Sequence, residues 1–136
     1  MFTPITPLSA DTCVVRGTDA SRGRTRTVVP GSTAARFLHY GRIILAPEDA
    51  PIRFETGTHE TGLVCLKGDA AVTTAAGTYT LGRYDALYVP RDSSVAVQPG
   101  AAGCDLAEMS APVEGSPSAW IFAFFASRGL RSVKMR

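Results

Sequence analysis

Thirteen glycines and nine prolines cut this chain of 136 residues into short runs rich in valine, threonine, tyrosine and phenylalanine. That punctuation limits the fold more than any other feature. No window of 12 residues carries an apolar period of 3.6, so amphipathic helices have nothing to build on. Runs of four to eight β-favouring residues between Gly, Pro and Asp read as strands. Eight to ten of them, spaced by about ten residues, predict an all-β sandwich or closed barrel rather than an α/β fold. The length fits one domain with one modest core.

The expected strands run in order. A turn-rich arm, residues 1–34, carries one edge strand near 25–29. A long strand covers 36–46 (RFLHYGRIILA) and ends at PEDAP, because proline cannot continue a ladder. IRFE and LVCL follow. KGD, residues 67–69, reads as a tight turn, since Gly68 and Asp69 suit positive φ. AAVTT and TYTL flank the hairpin loop 75–77. GRYD is another turn, and ALYVP, SVAVQP, CDLAEMS and AWIFAFF complete the set. The expected organisation is an arm over 1–34, a barrel over 35–126 and a basic tail over 127–136.

Composition removes several function classes. A net charge of +2 does not call for a polyanion partner. The arginines of RGTDASRGRTR, residues 16–26, lack interleaved aromatics and include Asp19, so they read as a solvated arm; no nucleic-acid partner is expected. The longest apolar run, 119–126, is far shorter than the ~20 residues a membrane helix needs, and no membrane partner is expected. Trp120, Phe122, Phe124 and Phe125 in that run are expected to cap the barrel or meet a partner subunit. The N-terminus has no basic region followed by an apolar one, so no signal peptide is expected. Three widely spaced cysteines, Cys13, Cys65 and Cys104, form no CxxC pair; with Cys65 and Cys104 in apolar runs, buried thiols and a cytoplasmic location follow.

The strand order, with a glycine after an apolar strand and the segment YDALYVP, resembles the cupin superfamily. The resemblance implies a single cupin-type double-stranded β-helix, a jelly-roll barrel with a short N-terminal arm. Cupin metal sites draw histidines and a glutamate from two motifs, G-x5-H-x-H-x3,4-E-x6-G and G-x5-P-x-G-x2-H-x3-N. Anchored on Gly68, the first motif puts its glutamate on Thr61. Its histidines fall on Phe54 and Thr56, or on Glu55 and Gly57. Anchored on Pro90, the second motif falls on Tyr84, Asp92, Val95 and Pro99. Every ligand position is replaced, so no metal is expected in this chain. His59 and Glu60 are neighbours of the vacated positions, and His39 and Glu55 are the other candidate donors. Adjacent residues of a strand point to opposite faces, so His59 and Glu60 cannot both face inward without a bend.

E-x-G-L-V-x-L-x-G (residues 60–68), a hairpin and L-G-x-x-D-A-L-Y-V-P (81–90) resemble the N-terminal half of the 5-deoxy-glucuronate isomerases. The related 4-deoxy-L-threo-5-hexosulose-uronate ketol-isomerases share the pattern. The resemblance covers about 35–112. It implies a two-cupin isomerase of inositol or uronate catabolism, with zinc or another divalent metal in the second cupin and this chain as the metal-free half, inactive alone. The basic segment after Glu114 departs from that pattern, as a truncated or frame-altered gene product does. A non-catalytic cupin that is structural, oligomerising or ligand-binding is the competing expectation. The candidate contacts for a small sugar acid are His59, Glu60, Tyr79, Tyr88 and Arg91. Tyr79, Tyr84 and Tyr88 read equally well as core aromatics. Asp85 and Arg91 are expected to shape turns or pair with each other. A homodimer joined through a barrel edge is the expected assembly.

Overall fold

A computed structural model describes residues 8–114. Seven strands form one continuous antiparallel system: β1 (Gly23–Val28), β2 (His39–Leu45), β3 (Ile52–Glu55), β4 (His59–Thr74), β5 (Gly77–Leu81), β6 (Ala86–Val89) and β7 (Ser94–Pro112). A single turn of helix, α1 (Ala10–Cys13), starts at Ser9, whose hydroxyl and backbone meet Thr12. The turns at PEDAP, 75–77 and GRYD fall where the sequence places them. The AWIFAFF strand and the basic tail expected from sequence lie outside the described residues.

One expected turn is absent, and the expected break between the SVAVQP and CDLAEMS strands is absent too. KGD lies inside β4, and the stretch from Gln98 to Gly103 lies inside β7. These two strands pair with each other along nearly their whole length, and the pairing shifts register between Cys65 and Lys67 and again between Gly68 and Ala70. The irregularities are bulges, which bend a strand without ending it. Gly68 and Gly103 face each other there with φ of 70° and 76°, and a Cβ on Gly68 would lie 2.0 Å from the Gly103 carbonyl oxygen. The bulges also reset side-chain parity. Inward residues of β4 are odd-numbered before the bend (Thr61, Leu63, Cys65) and even-numbered after it (Ala70, Val72). β7 makes the same change, from Val95 and Val97 to Cys104, Leu106 and Glu108. A slip of one residue would otherwise have turned half of each strand inside out.

Bending β4 and β7 makes two layers from one sheet. The first runs β1, β2, the C-terminal half of β7, the N-terminal half of β4, then β6. The second runs β3, the N-terminal half of β7, the C-terminal half of β4, then β5. Ile43, Leu63, Cys65 and Leu106 of the first meet Val72, Val95 and Val97 of the second in one core cluster. Fully burying each aliphatic side chain contributes roughly 1.5–3 kcal/mol.

One close approach matters for the site. Gly41 of β2 lies opposite Arg26 of β1, and a Cβ there would sit 1.9 Å from the Thr25 carbonyl oxygen. Only glycine lets β1 approach β2 this tightly at the edge of the first layer.

Candidate functional site

At one end of the first layer, the inward face changes from apolar to polar. Pairing aligns His39 of β2 with Ser110 of β7, Ser110 with Thr61 of β4, and His59 with Pro112. Each of His39, Thr61, His59 and Ser110 continues the inward parity of its own strand. Two positions deeper along β7 comes Glu108, only 2% exposed.

The Glu108 carboxylate is held from β1. Arg24 donates to both oxygens, Nε to Oε2 at 2.8 Å and Nη2 to Oε1 at 2.6 Å. Arg26 Nη2 lies 3.5 Å from Oε1. The two arginines alternate on one strand, so both reach the same carboxylate. The Arg24 guanidinium also stacks 3.9 Å above the Phe54 ring, an attraction between cation and ring face. Two guanidiniums against one carboxylate leave a surplus of one positive charge in this layer.

Above them, the imidazoles of His39 and His59 lie 4.6 Å apart between centroids, tilted by 37°. Burial pushes the His59 pKa below its ordinary value, and the neighbouring His39 and Arg26 push it the same way. His59 is therefore neutral at pH 7 and can accept a hydrogen bond or a proton. Among the described residues, His39 Nδ1, Ser110 Oγ and Thr27 Oγ1 are buried without a hydrogen-bond partner. Buried groups of this kind are costly unless something satisfies them.

The positions where cupin metal ligands stand are occupied by residues with other roles. Phe54 packs on Arg24 and the core. The Thr56 hydroxyl donates to the Pro90 carbonyl and accepts from the Ser93 amide, both at 2.9 Å. Thr61 and Val95 are buried, and neither carries a nitrogen or carboxylate donor. The buried carboxylate among the described residues, Glu108, is committed to arginine. Among the described residues, no three histidine, cysteine or acidic side chains converge as a metal would require. Among the described residues, these positions do not offer the donor set that a divalent metal needs.

The five residues singled out from sequence are separated by the fold. His59 faces inward, in the polar layer. Glu60 faces outward, where it accepts from the Tyr88 hydroxyl at 3.2 Å; burial and this contact raise the Tyr88 pKa. Tyr79 pairs with Val72, thirteen positions along β4 from His59, in the other layer. Arg91 donates to the Val113 carbonyl at 2.7 Å and to Asp92 at 2.8 Å, fixing the end of β7. Asp85 accepts instead from the Gly82 amide at 2.9 Å, inside its own turn. Of the other candidate donors, His39 joins the site, while Glu55 accepts from Ser94 at the other end of β3.

Glu108, Arg24, Arg26 and Ser110 were missed. A signal existed in CDLAEMS: Leu106, Glu108 and Ser110 share the parity of an inward apolar residue, and a charge at such a position demands a partner.

No family model and no curated protein matches this chain. Solved structures do. A cupin protein of Bacteroides fragilis superposes with a TM-score of 0.57 at 14% identity, covering 84% of this chain and 89% of that one. The cupin domain of Cnp3 from Schizosaccharomyces pombe gives 0.55 at 14% identity, with 81% and 72% covered. KdgF from Halomonas sp. gives 0.53 at 12% identity, with 67% and 80% covered. These likenesses establish the fold, a cupin-type jelly roll. Among the described residues, no helix is long and apolar enough to cross a membrane.

Proposed function

We propose that this chain is a metal-independent cupin module that binds a small organic acid in the polar layer of its barrel. The observation that carries the reading is the surplus guanidinium charge at Arg24 and Arg26, beside the unsatisfied Ser110 hydroxyl. A ligand carboxylate accepts from Arg26 and Ser110; neighbouring hydroxyls meet His39 and neutral His59. Sugar acids carry both kinds of group. The pattern over 60–68 and 81–90 supports a finer reading: kinship with the 5-deoxy-glucuronate isomerases, this chain being the metal-free half and inactive alone. The replaced ligand positions favour a purely non-catalytic role over turnover. Three cysteines, of which Cys65 and Cys104 are buried and have raised pKa values, suit a reducing cytoplasm. Homodimerisation through a barrel edge accompanies this reading.

Calorimetric titration with glucuronate and 5-deoxy-glucuronate tests it. Binding is expected, weakened about tenfold (~1.4 kcal/mol) by Arg26→Met. Absence of binding to any sugar acid refutes the ligand class. Stoichiometric zinc, manganese or iron lost on His59→Ala refutes metal independence, and isomerisation by the chain alone in the presence of chelator refutes the non-catalytic role. Light scattering after size exclusion reads the oligomeric state.

A further inference from the structure

Among the described residues, each layer ends in two strands that are paired on one side only: β1 and β6 in the first, β3 and β5 in the second. Open edges invite pairing with another chain unless bulges, charges, prolines or short length discourage it. Three of the four edges carry such devices. β1 shifts register between Arg26 and Val28 and turns Arg24 and Arg26 inward to Glu108. β3 has four residues, follows Pro51 and exposes Arg53 and Glu55. β6 also has four residues and runs straight into Pro90.

β5 has none of these. Its pairing with β4 holds register from Ala70↔Leu81 to Thr74↔Gly77 without a bulge. No charged residue and no proline occurs from Ala70 to Gly82, although 19% of the chain is charged. Gly77, Thr78, Tyr79 and Thr80 are all exposed. The hairpin also fixes where the backbone points. Thr74 and Gly77 flank a two-residue loop and form a hydrogen-bonded pair, and the alternation of an antiparallel ladder makes Val72 and Tyr79 another. Thr78 and Thr80 therefore aim their amides and carbonyls away from β4, along the open edge.

The residues on that edge say what fits it. Thr78-Tyr79-Thr80 reads the same in both directions, so a two-fold axis at Tyr79 sets Thr78 opposite Thr80 of a second copy, and the reverse. Both threonine pairs then fall on hydrogen-bonded positions, and Tyr79 meets its own copy at the closer, non-hydrogen-bonded spacing. Threonine pairs and aromatic pairs are favourable cross-strand neighbours, and Thr73 and Thr78 already bond in this way across the hairpin, at 2.9 Å between hydroxyl oxygens. A two-fold contact uses each β5 once and leaves only the guarded edges outside, so assembly stops at two chains.

We propose that β5 pairs antiparallel with β5 of a second copy of this chain, centred on Tyr79, and joins the second layers of the two copies into one continuous sheet. The inference rests on the homodimer reading above and names the strand that forms the contact. A ladder this short belongs with small, reversible interfaces.

Sedimentation velocity of the full chain, from low to high micromolar concentration, is expected to show a monomer–dimer equilibrium. Thr78→Lys with Thr80→Lys sets like charges opposite each other twice and is expected to raise the dimer Kd about tenfold or more. Thr78→Lys with Thr80→Glu sets opposite charges face to face twice and is expected to bring Kd back to within about threefold of wild type. Each variant is checked for wild-type far-ultraviolet circular dichroism. A wild-type chain that stays monomeric throughout overturns the proposal together with the homodimer reading. A dimer indifferent to the two lysines overturns the proposal alone and moves the contact to another edge. Loss of the dimer in the lysine–glutamate variant as well overturns the antiparallel register, and growth beyond two chains overturns the closed pairing.

Discussion

Replacing Arg24 with methionine tests the logic of the polar layer most directly. Methionine keeps much of the apolar stem and removes the charge. The variant loses both hydrogen bonds to Glu108 and the stacking on Phe54. Removing one partner of a buried ion pair costs about 3–5 kcal/mol, because the other charge stays buried. Arg26, at 3.5 Å, still offsets part of the Glu108 charge and places the loss near the lower end. The stacking adds roughly 0.5–1 kcal/mol. The reverse deletion, Glu108→Gln, should be milder. Its orphaned guanidiniums are 24% and 35% exposed and can rehydrate, whereas the carboxylate at 2% cannot. A loss of about 1.5–3 kcal/mol, the range for a hydrogen bond to a charged group, is expected there. The double variant Arg24→Met with Glu108→Gln should recover much of the sum, with a coupling energy of about 2 kcal/mol. Urea unfolding followed by circular dichroism at pH 7 reads all four proteins. With slopes of about 1–3 kcal/mol/M, the Arg24→Met midpoint falls by one to a few molar. Equal or larger damage from Glu108→Gln, or coupling below about 0.5 kcal/mol, refutes the claim that this carboxylate depends on arginine.

Other outcomes follow from the same structure. His59 has a depressed folded pKa, so its contribution to stability is fully present above the unfolded value of 6.5 and is lost as pH falls through the folded one; His59→Gln should flatten that acid-side decline in urea midpoints. Burial raises the Cys104 thiol to about 11 and pushes Cys65 up as well, while Cys13 is exposed; mass spectrometry after brief alkylation should find modification at Cys13 in native protein, and at all three in denaturant. Gly41→Ala drives a Cβ into the Thr25 carbonyl, and hydrogen exchange should show lost protection across β1 with a stability loss of about 1–3 kcal/mol or more.

Much of the architecture was legible in the residues. Alternation and turn chemistry locate β1, β2, β3, β5 and β6 to within a few positions. The two long strands were not legible, because Lys67-Gly68-Asp69 has the same local chemistry whether the chain reverses or merely bulges. Only the partner strand, with Gly103 facing Gly68, decides between the two. Replacement of the metal-ligand positions was also legible from spacing, and Phe54 and Thr56 are engaged elsewhere, by packing on Arg24 and by bonding to Pro90 and Ser93. Glu108 and its arginines were hidden for a different reason. Their partnership spans 84 positions of sequence, and local pattern carries no information about which distant cation meets an inward carboxylate.

Because β4 and β7 each traverse both layers, neither layer owns a complete set of strands. Cutting the chain at Gly68 or at Gly103 would leave fragments whose exposed ladders have no mates. Thermal melting should therefore be all-or-none, with calorimetric and van't Hoff enthalpies in agreement. Inserted sequence will be tolerated at the 75–77 loop or the 46–51 connection, and not at the glycine bends, although both bends look like loops on paper.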